Sequence, residues 1–400
     1  MVLLVAAMIV CYAHRGTLSV AAPFMMKELN LSTSMMGILL SAFFWSYSFM
    51  QLPAGWTVDR YGVKRTFGLG YVCWSLAAAL TGFAHNLMTL VLLRMSLGIG
   101  QAVAFPASAR AVAQWFRDKE RGVVTATYLT GVRLGQALIA LVGAFFLTKY
   151  GLKLFFLLTG IAPMVWLFLW YRFLRKWEGP HSVPSNTVQA KPSRNVSLVQ
   201  SLRLLKQRSV LGIFLGFFAY DYAWFVYLTW LPGYLVMERG FSTREMGIYS
   251  AVPYVVMSGI ILLSGLASDW LIRRGYPEIQ VRKRFIIAGL AIGCLIVVAG
   301  MIDDKLTAVW LLTISLCGLG ISSPNTWTLT QAICSKNIVG TVSGIQNFGG
   351  NLGGILAPAL TGYIAHTTKS FELALTVAGV ILVAGMLSYC FLVSQKVDNP

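Results

Sequence analysis

Acidic side chains are scarce in this sequence. Only 14 Asp and Glu stand against 32 Lys and Arg, and charged residues of both signs make up 12% of the 400 positions. An ordinary soluble domain carries about a quarter of its residues as charges, so water is not the solvent for most of this chain. Catalytic signatures are absent as well. There is no HExxH, no Ser/His/Asp set in a recognisable context and no Walker-type phosphate loop, which argues against a membrane enzyme and against an ATP-driven pump. The six cysteines (Cys11, Cys73, Cys294, Cys317, Cys334, Cys390) show no CxxC spacing and no His partner at ligand spacing. They read as buried free thiols, and neither a metal nor another cofactor is expected.

Apolar residues fill the space the charges leave: 57% of the chain, with a mean hydropathy of +0.69. A membrane-crossing helix takes about 20 such residues. Breaks in the hydrophobic pattern place spans near 2–22, 35–57, 66–84, 87–114, 122–147, 152–173, 209–236, 246–271, 285–303, 306–332, 339–366 and 371–394, twelve in all. The first stretch lacks a basic leading segment and a clear cleavage site, and it carries His14 and Arg15, so it reads as a span and not as a signal peptide. If both termini lie on one side, the loops there hold 21 Lys and Arg against 7 on the other. Basic residues accumulate on the cytoplasmic face, which puts both termini in the cytoplasm. The net charge of +18 is thereby a matter of topology, and no nucleic acid partner is implied. Residues 176–208, with Pro180, Pro184 and Pro192 among Ser and Asn, have linker composition; their basic end suits anionic lipid head groups. They divide the chain into bundles at 1–175 and 209–400.

Internal repetition supports that division. Gly-Trp-Thr-Val-Asp59-Arg60-Tyr-Gly62-Val-Lys64-Arg65 returns loosely as Gly265-Leu-Ala-Ser-Asp269-Trp-Leu-Ile-Arg273-Arg274-Gly275, each after the second span of its half. Gly131-Val-Arg133-Leu-Gly135 in span five is echoed by Gly349-Gly-Asn351-Leu-Gly353 in span eleven. Duplicated six-helix halves have this form.

The first copy closely resembles the loop signature of the major facilitator superfamily, G-x-x-x-D-R-x-G-x-K-R. Further stretches resemble its anion:cation symporter branch, which includes hexuronate, aldarate and galactonate carriers and vesicular glutamate and sialic acid carriers. They are Tyr12-Ala-His14-Arg15 in span one, Arg94 to Pro106 in span four, Trp230-Leu-Pro232-Gly-Tyr234 in span seven and Asn347 to Pro358 in span eleven. The resemblance covers essentially the whole chain. It implies an all-α membrane protein of twelve transmembrane helices in two pseudo-symmetric six-helix bundles, working by alternating access. It implies gating by Asp59, Arg60, Gly62, Lys64 and Arg65 with Asp269 in the second copy, contact of Asp59 with the start of span eleven, and a substrate-facing Tyr47. Relatives of this branch often carry an acid before the span-one arginine and a Glu in span four, the inferred proton carriers; here those positions are His14 and Gln101.

Counting charges within the spans leads to the same kind of ligand by another route. Arg15, Arg94, Arg110 and Arg133 face a single deep acid, Asp221. A charge at mid-bilayer costs several kcal/mol, so most of these arginines need another anion, and a guanidinium fork matches a carboxylate. Arg133 lies about 18 Å into span five and Arg15 comparably deep, whereas Arg110, near a helix end, suits snorkelling. For Arg94 and Arg133 a fixed bond within the bundle competes with ligand binding. Tyr47, Tyr220, Tyr222, Asn325, Trp327, Gln346, Asn347 and Asn351 could line a pocket for a hydroxylated carboxylate, with ordinary packing and interhelical bonds as the plain alternative. The expectation is a monomeric secondary transporter of small organic anions in a bacterial inner membrane, with hexonates or hexuronates favoured as substrate. Protons are the expected coupling ion, through Asp221 or His14. An uncoupled facilitator or an exchanger of monocarboxylates, dicarboxylates or phosphate is the main alternative, and a non-transporting sensor the remote one.

Overall fold

A computed structural model describes residues 1–174, 204–335, 338–393 and 397, the side chains of residues 52, 118–123, 126 and 174 excepted. Most of the expected linker therefore lies outside the described residues. The helices, numbered here in chain order, are α1 (Val2–Glu28), α2 (Thr33–Tyr61), α3 (Val63–Leu80), α4 (Leu87–Gln101), α5 (Ala104–Trp115), α6 (Asp118–Ile161) and α7 (Val165–Leu174) in the first half. The second half holds α8 (Arg208–Met237), α9 (Thr243–Arg273), α10 (Glu278–Gly293), α11 (Leu295–Met301), α12 (Lys305–Ile333), α13 (Val339–Thr368) and α14 (Glu372–Phe391). Only one isolated bridge, Cys334 to Val397, departs from helix and turn among the described residues. In lipid no water is at hand for exposed backbone groups, and helices satisfy those groups within one segment.

Nine helical stretches among the described residues are long and apolar enough to cross a membrane, or ten with α2, which bends by 53° between Gln51 and Pro53. Two further passes fall outside a hydropathy criterion for physical reasons. The stretch Thr127–Phe173 is two passes, because Gly151 sits at φ 73° and ψ 179°, a conformation that turns the chain and that only glycine adopts without strain. Helix α13, 30 residues long, is diluted in hydropathy by its glycines and amides. Among the described residues the total is twelve, as expected.

Contacts group the chain into two compact units, Met1–Ala190 with Leu231–Ala251, and Lys191–Trp230 with Val252–Pro400. Within the first, α1 lies against α6 where Gly131 and Gly135 present bare backbone: a β-carbon on Gly135 would overlap the Ile9 carbonyl. Gln136 Nε2 donates to the Tyr12 carbonyl at 3.0 Å across the same seam. A buried aromatic stack joins α3 and α7, with Tyr71 and Trp166 centroids 4.4 Å apart and Trp166 and Trp170 4.6 Å apart. Its indole N–H groups donate to the carbonyls of Leu3 and Lys64. The repeat is visible in backbone contacts: Gly70 meets Gly100 in the first unit as Gly289 meets Gly318 in the second.

Helix starts differ in how they are capped. Away from the basic loops, Ser32 accepts from Met35 N, Asn86 from Thr89 N and Asp304 from Thr307 N, while Ser242 and Glu245 cap each other's backbone N–H in a capping box. Bonds from Thr307 hold the Asp304 carboxyl below its ordinary range. At the basic end, α1, α3, α10 and α13 begin without a side-chain cap.

Three expectations are corrected. Helix α1 runs on to Glu28, beyond the expected end at 22. The triplet Arg282, Lys283 and Arg284, read as loop, lies within α10 because that helix begins at Glu278. The cysteines are all free, yet only Cys11 is buried and Cys73 is exposed, since a lipid-facing helix surface accepts a thiol as readily as a core does.

Overpacking a close helix seam costs about 1–3 kcal/mol. Gly135→Ala should therefore lower the thermal unfolding midpoint in detergent by several degrees, whereas Gly259→Ala, where the β-carbon meets open space, should leave it unchanged; equal midpoints for the two variants would contradict the seam.

Candidate functional site

On α1 the helical spacing i, i+3, i+4 puts Cys11, Tyr12 and Arg15 on one face, toward α2 and α4. Arg15 is partly exposed and its guanidinium is surrounded by rings. The carbon Cζ lies 4.5 Å from the Tyr12 centroid, 4.7 Å from Phe43 and 4.5 Å from Tyr47. Phe43 and Tyr47, one helical turn apart on α2, stack on each other at 5.1 Å. Each ring face attracts the cation by about 0.5–2 kcal/mol without neutralising it. Nε donates to Gln101 Oε1 at 2.9 Å, Nη1 makes a long 3.5 Å contact with the Tyr12 hydroxyl, and Nη2 has no hydrogen-bond partner. Arg133, on α6, is partly exposed and close enough to Tyr12 to act on it electrostatically.

The opposite face of α1 looks inward. His14 is buried and its Nε2 donates to the Thr159 carbonyl at 2.7 Å; a carbonyl can only accept, so this bond fixes the proton on Nε2. Its Nδ1 is buried without a partner. Protonating Nδ1 would set a second cation near Arg94, which is itself buried, with Nη2 3.5 Å from Thr17 Oγ1 and Nε unbonded. Arg94 is thus part of the bundle interior, and His14 is held there through Nε2.

The second unit has its own polar interior. Asp221, on α8, lies against Gly350 of α13 so closely that a β-carbon there would overlap Oδ2. Tyr220 stacks on Phe217 at 5.6 Å, Trp327 meets the same ring edge-on at 5.1 Å, and Tyr222 is fully buried where Gly353 approaches its backbone. Gln346 Oε1 accepts from Thr330 Oγ1 at 2.5 Å. Asn351 is buried and Asn347 partly exposed on α13. Asn325 is fully engaged between helices: its Nδ2 donates to Ser264 Oγ at 3.1 Å and its Oδ1 accepts from Arg282 at 3.4 Å.

Acids appear where the units reach their basic ends. Asp59 pairs with Arg110 of α5, a partner that the expectation of snorkelling or helix-end capping did not name. The pair is open, with 73% of the Asp59 side chain exposed, and such pairs contribute little to stability, which leaves the contact free to break and re-form. Arg60 packs over Trp56 and Tyr61, Gly62 makes the turn at φ 81°, and Lys64 lends its carbonyl to Trp170; Arg65 is exposed. In the second unit Asp269 accepts from Arg282 at 2.6 Å, and Ser268 Oγ accepts from it at 2.8 Å. Lys283 caps the end of α14 through the carbonyls of Cys390 and Val393.

The sequence therefore located Arg15, Tyr47 and Gln101, which the fold brings together, and it missed Phe43, Arg110's acid and buried Arg282. The spacing of Phe43 and Tyr47 by four residues was the available signal for the first.

Residues 4–358 match the model of the Major Facilitator Superfamily. The D-galactonate transporter of Escherichia coli O6:H1 is 30% identical over 99% of this chain and 95% of its own. The probable L-galactonate transporter of Escherichia coli K12 is 32% identical over 100% and 90%, and the hexuronate transporter of Bacillus subtilis 29% identical over 98% and 93%. Among solved structures, a bacterial homologue of the lysosomal transporter Spinster, inward-facing and unoccupied, superposes with a TM-score of 0.81 at 18% identity over 97% of this chain and 95% of its own. A D-xylose–proton symporter does so at 0.79 and 16% over 99% and 97%. With a motif-bearing loop in its first half, an arginine ringed by aromatics in span one and relatives of this kind along its full length, the chain belongs to the major facilitator superfamily, in its anion:cation symporter branch.

Proposed function

We propose that this transporter carries small hydroxylated carboxylates, hexonates or hexuronates, by alternating access, as a monomer in a bacterial inner membrane with both termini cytoplasmic. The observation that carries this reading is Arg15. Its guanidinium has aromatic faces above and around it, one neutral amide on Nε and no acid among the described residues, so an arriving carboxylate supplies the missing charge. The galactonate and hexuronate transporters named above support a sugar acid as that carboxylate. A thermal-shift screen of hexonates, hexuronates and aliphatic acids on the purified protein, followed by uptake into proteoliposomes, tests it; a sensor would bind without uptake.

Protons supply the driving force in this reading, and Asp221 is the group that takes them up. It is the deep acid, whereas His14 is committed through Nε2 and neighbours Arg94. Substrate binding that favours the protonated carboxyl would link the two fluxes.

Arg15→Ala should weaken binding of the sugar acid about a hundredfold or more, the worth of two charged hydrogen bonds, and Arg15→Lys should remain far below wild type because a point charge lacks the fork; unchanged affinity in the alanine variant would remove Arg15 from the site. Asp221→Asn should keep binding and counterflow but lose accumulation driven by an inward proton gradient, with His14→Gln affected less. Accumulation that persists in Asp221→Asn would dismiss it as the coupling group, and a wild type indifferent to the gradient would establish a facilitator or exchanger. Asp59→Asn should slow uptake with affinity within a few fold, and uptake at the wild-type rate would count against a gating role.

A further inference from the structure

We propose that Gln101 is a positioning residue: it occupies one edge of Arg15 with a group that cannot ionise, so the substrate carboxylate is met by the Nη1/Nη2 edge alone. The inference rests on Arg15 being the substrate cation. A guanidinium can hold a carboxylate bidentately on two edges, Nη1 with Nη2 or Nε with Nη2. Here Nε is taken by Gln101 Oε1 at 2.9 Å, and Gln101 is itself fixed because its Nε2 donates to the Cys11 carbonyl at 2.9 Å. The amide cannot turn over: the reverse orientation would aim its NH2 at a donor and its oxygen at a carbonyl. Gln101 is completely buried, so no water stands in for either bond. What remains is the other edge, where Nη1 has only the long contact with Tyr12 and Nη2, buried in this conformation, has no hydrogen-bond partner.

The choice of an amide has a chemical consequence. Gln101 accepts from a cation and donates to a carbonyl in one side chain, and among carboxylic groups only a protonated acid can do both. An ionised acid there would pair with Arg15, face the Cys11 carbonyl with a second negative oxygen, and compete with the substrate for the guanidinium. The groups around the pair do not change charge in the neutral range in its place. They are Cys11, Tyr12, Tyr47, Arg94 and Arg133, none of them a carboxylate, and His14, which is tied through Nε2 to Thr159. Gln101 thus keeps Arg15 open to an outside anion at every physiological pH.

The test is the affinity of galactonate, with glucuronate as a second probe, measured at pH 5.5 and pH 8.0 on purified wild type, Gln101→Glu and Gln101→Met. In Gln101→Glu the ratio of the affinity at pH 5.5 to that at pH 8.0 should exceed the wild-type ratio at least about tenfold, since one unit of differential protonation is worth that factor. In Gln101→Met affinity should fall about tenfold at both pH values, with the wild-type ratio kept, because the guanidinium loses its fixed orientation but gains no rival charge. Equal pH ratios in wild type and Gln101→Glu would overturn the proposal, as would wild-type affinity in Gln101→Met. Should Gln101→Glu not fold, the Gln101→Met affinity decides. Failure of wild type to bind either probe would defeat the sugar-acid reading first, and is thereby told apart from failure of the Gln101 inference.

Discussion

The shortage of acids inside the spans governs how the arginines of this protein are held. A buried cation without a partner is strongly disfavoured, and the chain answers in two ways according to position. At the basic ends, where solvent is near, Arg110 and Arg282 meet Asp59 and Asp269. In the interior of the first unit, Arg15 meets an amide and three ring faces, and Arg94 a single hydroxyl. Neutral partners orient a guanidinium without cancelling its charge.

Much of this was readable from residues alone, for reasons that can be named. Spans announce themselves because lipid demands long apolar runs, and α13 was placed in the same way, with its echo of span five supporting the division into two halves. What resisted reading was the destination of individual side chains. Arg282, Lys283 and Arg284 look like a loop, yet one turn of helix sends the first into the bundle, the second to the end of α14 and the third outward. Asn325 has the chemistry of a ligand contact and is instead saturated by Ser264 and Arg282. Phe43 is one aromatic among many until the fold brings it to Arg15. Such outcomes depend on which helix faces which, and no local pattern encodes that.

The two halves share a backbone plan and differ in how they use it. Glycines at the contact of the third and fourth spans recur, Gly70 with Gly100 and Gly289 with Gly318, because close backbone approach leaves no room for alternatives. The acids at the end of the second span recur as well, but their cations come from different helices: the fourth span in the first half, the third in the second. One pair is open to solvent and the other is backed by Ser268 and Asn325. Duplication fixed the scaffold, and the electrostatics diverged upon it.

The uneven distribution of helix caps bears on local stability. The starts of α2, α4, α12 and α9 are closed by Ser32, Asn86, Asp304 and the Ser242–Glu245 pair, whereas α1, α3, α10, α13 and α14 have no side-chain bond from the N-cap residue. Uncapped first turns fray at low cost. Amide hydrogens in the first turns of α3, α10 and α13 therefore exchange with solvent sooner than those that Ser32, Asn86 and Asp304 hold, and a helix's resistance to exchange is set by the residue before it as much as by its own sequence.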